Sequence, residues 1–97
     1  MIVQRMVLKV KTGSQDSVVG LLKAARAGLD DPSSMRILTS EIGVPRHTVV
    51  YELTVESVEE NRKRWTEWMN RAETPAFMEK WFEVVEDWND EYYNIEV

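Results

Sequence analysis

The stretch His47-Thr48-Val49-Val50-Tyr51-Glu52-Leu53-Thr54-Val55-Glu56-Ser57-Val58-Glu59-Glu60 changes its periodicity part-way along, and that change decides the fold. Apolar residues hold the odd positions Val49, Tyr51, Leu53 and Val55, while Thr48, Glu52 and Thr54 point the other way with Val50 among them. A period of two predicts a strand from His47 to Val55 with one face buried. Ser57 then stands three residues before Glu60, the spacing at which a serine oxygen accepts an amide of the first helical turn while the glutamate reaches back. A helix is therefore expected from about Val58.

Upstream, Gly43-Val44-Pro45-Arg46 reads as a turn, and Met35 to Thr39 as a short second strand hairpinned to the third. Gly28 and the run Asp30-Asp31-Pro32-Ser33-Ser34 stop an amphipathic helix expected over Ser14 to Ala27, whose apolar face is Val18, Leu21, Leu22, Ala25 and Leu29. Residues 2 to 11 alternate again, with Ile2, Met6, Leu8 and Val10 on one side, and predict the first strand. Downstream, Val58, Trp65, Met69 and Ala72 mark the buried face of the second helix, and Thr74-Pro75 offers a cap and a proline at the start of another. Phe77, Trp81, Val84 and Trp88 share a stripe of that segment, beside Met78, Phe82 and Val85, and alternation resumes from Tyr92 to Val97 as a fourth strand. The order β, α, β, β, broken α, β predicts an α+β ferredoxin-like sandwich over residues 1–97. Its antiparallel sheet is ordered 4-1-3-2, with both crossovers on one face.

Composition narrows the function classes. With 43% hydrophobic and 30% charged residues the chain reads as an ordinary globular domain, and at 97 residues it has material for one core. The opening Met1-Ile2-Val3-Gln4-Arg5 carries charge where a signal peptide needs an apolar run, so a cytoplasmic location is expected, without membrane association. There is no cysteine, which excludes disulfides, thiolate zinc sites and thiol catalysis. Residues 1–72 hold 11 bases and 9 acids, whereas residues 73–97 hold one base and 8 acids, so the last quarter is acidic. The net charge of −5 argues against nucleic acid as a partner, since phosphate neutralisation needs a concentrated basic face.

If the even positions of the first strand and the odd positions of the third face the helices, then Val3, Arg5, Val7, Lys9, Thr48, Val50, Glu52 and Thr54 occupy the other face. Tyr92, Asn94 and Glu96 are expected to join them. Val3, Val7 and Val50 would form an apolar patch in water, and a second copy of the same sheet would cover it. A homodimer through the sheet faces is thus expected.

The stretch Ala72-Glu73-Thr74-Pro75-Ala76-Phe77-Met78-Glu79-Lys80-Trp81-Phe82 resembles the interrupted second helical region of NIPSNAP-like and antibiotic-biosynthesis-monooxygenase-like members of the dimeric α/β-barrel superfamily. The resemblance runs the length of the chain. It implies two ferredoxin-like subunits closed sheet against sheet around a central space. It does not choose a reaction, because the superfamily includes cofactor-free oxygenases, haem-degrading enzymes, lactone isomerases and proteins without assigned activity. The haem-degrading members use an asparagine on the first strand with a histidine and a tryptophan on helices. Here the first strand has no asparagine, and the one histidine is His47.

Arg5, Lys9, Glu52 and Asn94, with Glu96, would form a polar cluster able to hold an anionic or hydrogen-bonding small molecule between the sheets. Glu52 could serve there as a base. The plainer alternative is that Arg5 and Lys9 pair with Glu52 and Glu96 and satisfy one another. His47 could serve as a proton shuttle or metal ligand, but no second histidine or cysteine stands ready to complete a site, so a structural histidine at a strand end is the simpler reading. Glu83, Glu86, Asp87, Asp90 and Glu91 lack the glycine-punctuated spacing of a calcium loop and read as a solvated acidic face, which a basic partner surface would suit. The run Arg62-Lys63-Arg64 reads as a solvated helix face, since Glu59→Lys63, Glu60→Arg64 and Glu67→Arg71 are i,i+4 pairs in the favourable orientation. Trp68 falls off the expected Val58/Trp65/Met69 stripe and is a candidate for a pocket rim or subunit contact. No nucleophile-base pair, phosphate-cradling loop or dinucleotide fingerprint appears, so no cofactor and no metal is expected. Three functions remain: a small-molecule-binding homodimer, a cofactor-free oxygenase or isomerase acting on a cyclic aromatic or polyketide-like compound with Glu52 or His47 as base, and a purely structural association module whose acidic C-terminal region meets a basic partner.

Overall fold

A computed structural model describes residues 1–97. In chain order the elements are β1 (Ile2–Val10), α1 (Gln15–Ala27), a 3-10 turn (Pro32–Ser34), β2 (Met35–Thr39), β3 (Thr48–Val55), α2 (Val58–Met69), α3 (Thr74–Val84) and β4 (Val85–Asn94). The strands form one antiparallel sheet ordered β2-β3-β1-β4, the expected order read from its other edge. The ferredoxin-like arrangement follows.

Local sequence explains most boundaries. Ser57 Oγ accepts the Glu60 amide at 3.1 Å, so α2 starts where the capping spacing requires. Asp31 caps the 3-10 turn by accepting the Ser33 amide at 3.1 Å, which turns the chain from α1 into β2. In α1, Asp16 lies in the first turn and Arg26 in the last, both favourable to the helix dipole. Arg26 Nε also donates to the Met35 carbonyl at 2.9 Å, tying the end of the helix to the start of β2. Thr74 is buried, but its hydroxyl donates back to the Trp68 carbonyl and does not cap α3. It fastens α2 to α3 across the break.

The core lies between the helices and one face of the sheet. Leu8, Val10, Met35, Val49 and Val85 from the strands meet Val18 and Leu22 of α1 and Trp81 of α3. Leu8, Val18 and Val49 are fully enclosed, each worth roughly 1.5–3 kcal/mol relative to exposure. No helix is long and apolar enough to cross a membrane.

The final strand departs from expectation. The helix stops at Val84, and β4 begins at Val85, not near Tyr92. Trp88 misleads because a strand residue facing the helices is as apolar as the next turn of a helix. It stands opposite Leu8 and meets Trp81 edge-on at 6.5 Å. Val10 pairs with Val85 while Lys9 pairs with Asp87, so a bulge at Glu86 resets the register. From there the even residues of β4 oppose the even residues of β1: Trp88 with Leu8, Asp90 with Met6, Tyr92 with Gln4 and Asn94 with Ile2. Tyr92 and Asn94 therefore belong to the helix side, a one-residue change of phase that moves every side chain of the strand to the other face. Asn89, Glu91 and Tyr93 take their places on the open face, and Glu96 lies beyond the end of the strand.

Candidate functional site

On the open face, residues in register form rows that run across the strands. One row is Arg36, Glu52, Arg5 and Glu91, from β2 to β4, and the next is Leu38, Val50, Val7 and Asn89. Glu52 lies between two arginines: Arg36 bonds its Oε1, and Arg5 Nη1 approaches its Oε2 at 3.8 Å. Its side chain is only 15% exposed although nothing covers the sheet there. Glu91 accepts from the Asn89 amide at 3.0 Å and the Tyr93 hydroxyl at 2.9 Å, and the latter bond holds the Tyr93 phenol above its ordinary pKa. Val50 is buried by its own neighbours in the row. At one end of this face Val3, Ser33, Ser34, Arg36, Glu52, Thr54 and Ile95 line a cleft of about 370 Å³.

The sequence-predicted residues divide between three places. Arg5 and Glu52 are brought together. Lys9 is on the same face but pairs with Glu86 at 3.4 Å and is largely exposed, so the pairing with Glu96 does not form. Asn94 is on the opposite face from Arg5. His47 sits in the exposed loop before β3 with φ 60°, its carbonyl accepting the Val10 amide at 2.8 Å. Five residues of extended strand separate it from Glu52, about 17 Å, so the two do not act on one atom. Trp68 stacks on Trp65 at 5.3 Å and meets Phe77 edge-on at 5.1 Å, half-buried within its own subunit.

The helix side holds a polar cluster that periodicity did not reveal. Asn61 of α2 is buried and donates from Nδ2 to Gln4 Oε1 and to the Tyr92 hydroxyl, each at 3.0 Å. Gln4, also buried, donates from Nε2 to Asp90 Oδ1 at 2.9 Å. Tyr51 stands beside them, its phenol pushed well above the usual range by burial first and then by Asp90 and Tyr92. A row of rings adjoins the helices: Trp65, Trp68, Phe77, Trp81 and Trp88, with neighbouring centroids 5.1 to 6.5 Å apart. The inward face of α2 is thus Asn61 and Trp68, while Trp65 and Met69, expected inside, are 51% and 42% exposed.

No family model matches the chain, and no curated protein matches it. Solved structures do. A NIPSNAP family protein with unknown function from Agrobacterium tumefaciens superposes with a TM-score of 0.79 at 16% identity, over 95% of this chain and 85% of that one. Another NIPSNAP family protein from the same organism gives 0.79 at 14% identity, over 98% and 86%. An uncharacterized NIPSNAP domain protein from Burkholderia xenovorans gives 0.76 at 9% identity, over 98% and 94%.

The fold is that of the NIPSNAP proteins.

At such identities the likeness carries the NIPSNAP architecture and no residue roles. Within that architecture, the signal that would have found the missed cluster is polarity on an apolar face. Gln4 interrupts the even positions of β1, and Asn61 falls one turn before Trp65 in a helix otherwise charged outside.

Proposed function

We propose that the chain is a NIPSNAP-type homodimer that binds a small molecule between its two open sheet faces, with Arg36, Glu52 and Arg5 as polar contacts. The observation that carries this reading is Glu52: a carboxylate screened from solvent on an uncovered face, held by two arginines at the lip of the 370 Å³ cleft. The cleft combines a guanidinium and the hydroxyls of Ser33, Ser34 and Thr54 with the apolar Val3 and Ile95. That lining suits an anionic or hydrogen-bonding compound with an apolar body. The apolar row of Leu38, Val50 and Val7 supports association face to face, since a patch of this kind is stabilised by cover.

The test is native mass spectrometry of freshly purified protein, followed by the same sample denatured. A dimer carrying added mass that is released on denaturation is the expected result, with the added mass lost in Arg36→Ala while the dimer remains. A monomer sinks the reading.

A second reading, a cofactor-free oxygenase or isomerase for a cyclic aromatic or polyketide-like compound, is favoured by one observation. Asp90, Tyr51, Tyr92, Gln4 and Asn61 converge on the helix side, where a carboxylate and phenols stand near a row of aromatic rings. On this reading Asp90 replaces Glu52 and His47 as the base. Turnover of a panel of quinols under oxygen, lost in Asp90→Asn, would favour the enzyme; no turnover leaves the binding dimer ahead.

A further inference from the structure

Where α3 passes into β4, two aromatic rings stand side by side in water. Phe82 of α3 is 57% exposed, and Trp88, on the helix side of β4, is 45% exposed. Single exposed apolar residues are ordinary on a protein surface. These two differ because they come from separate elements and touch: their centroids are 6.2 Å apart and their planes are tilted by 47°. Behind them the buried Trp81 meets Trp88 edge-on at 6.5 Å and braces it from inside. The rings form a corner that is held in place before anything binds.

Carboxylates surround this corner. Glu79 stands one turn before Phe82 on α3, and Asp90 follows Trp88 two residues along the same face of β4, about 7 Å away. Asp90 accepts from Gln4 through Oδ1, and its other oxygen has no partner within the chain. Of the acids in α3 and β4 only Glu86 forms an ion pair, with Lys9. Lys80, the only base after residue 72, lines the groove between α1 and α3, on the opposite side of the helix from Phe82.

Charge decides what such a corner accepts. A second copy brings the same uncompensated acids, and an anionic lipid surface or a nucleic acid is repelled in the same way. A cation is attracted twice, by the ring faces and by the carboxylates. Guanidinium suits the corner better than ammonium, because it is flat, more weakly hydrated, and able to stack on an indole while its N–H groups reach a carboxylate. With one acid on the helix and the other on the strand, there is also a place for a basic neighbour of that arginine along an incoming chain.

We propose that Phe82 and Trp88 form a docking corner for an arginine in a basic segment of another protein, with Glu79 and Asp90 holding the guanidinium and the base next to it. The corner lies on the helix side of the sheet, so it does not depend on a ligand or a partner at the open face.

The test uses a fluorescein-labelled peptide that alternates arginine with serine, titrated with the full chain at low salt and read by anisotropy. Phe82→Leu and Trp88→Leu each remove one ring and keep every charge, and each is expected to weaken binding about two- to fivefold. Phe82→Tyr keeps the ring and is expected to bind like the parent. Glu79→Gln is expected to weaken binding and to lower its salt dependence. The matching lysine peptide is expected to bind several-fold more weakly. Trp88 also packs on Trp81, so the more exposed Phe82 gives the cleaner variant, and a parental urea midpoint shows that Phe82→Leu is folded. Undiminished binding by folded Phe82→Leu overturns the corner and leaves only a diffuse attraction between charges. Equal affinity for the lysine peptide overturns the assignment to arginine, and an arginine peptide that does not bind overturns the proposal as a whole.

Discussion

Replacing Asn61 by leucine separates a structural amide from a functional one. The side chain donates two hydrogen bonds of 3.0 Å, and the acceptors are not equivalent. Gln4 is 7% exposed, so its Oε1 has no water to turn to, and an orphaned buried acceptor costs about 1–3 kcal/mol. Tyr92 is 36% exposed, and water replaces the lost amide at little cost. Leucine recovers part of the loss through its own burial, so Asn61→Leu is expected to lower stability by about 2 kcal/mol. For a domain of this size that is a fall in melting temperature of roughly 8–16 °C. The double variant Gln4→Leu, Asn61→Leu removes both partners. It is expected to return to within about 1 kcal/mol of the parent, because Asp90, which then loses the Gln4 amide, is exposed and takes water. Urea titration followed by tryptophan fluorescence at one fixed chain concentration measures both, with the slope against urea unchanged. A parental midpoint in Asn61→Leu, or a double variant that loses the sum of the two single losses, refutes a stabilising role for the buried Asn61–Gln4 pair.

Three further outcomes are expected. His47→Gly raises stability by roughly 0.5–1 kcal/mol, because the left-handed backbone at φ 60° suits glycine better than histidine; a lower urea midpoint contradicts this. Above about pH 10 the unfolded chain ionises Tyr51 while the folded chain keeps its phenol protonated, so stability is unaffected by this group below that pH and falls above it by up to about 1.4 kcal/mol per pH unit. Tyr51→Phe removes that part of the slope, and an identical alkaline profile in the variant refutes it. Glu52→Gln leaves Arg5 and Arg36 without the carboxylate between them and weakens the dimer about tenfold, read by sedimentation velocity across a dilution series; no change would show that the triad lies outside the interface.

How far the sequence leads depends on how many faces of an element are apolar. β1 and β3 each bury one face against the helices, so their alternation reads directly and sets Arg5 and Glu52 on the same face, where they are register partners. β4 is mostly polar on both faces, so its alternation carries no phase. Its start was hidden by Trp88, and the bulge at Glu86 then shifted Tyr92 and Asn94 to the other side of the sheet. α2 fails for a related reason: it buries an asparagine where hydrophobicity alone would choose Trp65, because the sheet beneath it presents Gln4 and Tyr92. Trp68 falls off the Val58/Trp65/Met69 stripe because the inward face of α2 runs through Trp68 itself, which packs on Trp65 and Phe77. A partner for a buried polar group lies on another strand, and no local spacing encodes it.

The bulged, acidic fourth strand also governs how the molecule fails. β4 is one edge of the sheet, ten residues long, and β2, the other edge, has only five. A long free edge invites lateral strand addition and fibre growth. Here Glu86, Asp87, Asp90 and Glu91 crowd that edge with negative charge, and the bulge twists it away from the flat template that an incoming strand would need. The clustering of acids at the end of the chain thereby acts as a guard against aggregation, and it works only while the carboxylates are ionised. Replacing those carboxylates by their amides lifts the guard, and edge-to-edge polymerisation then competes with the native state.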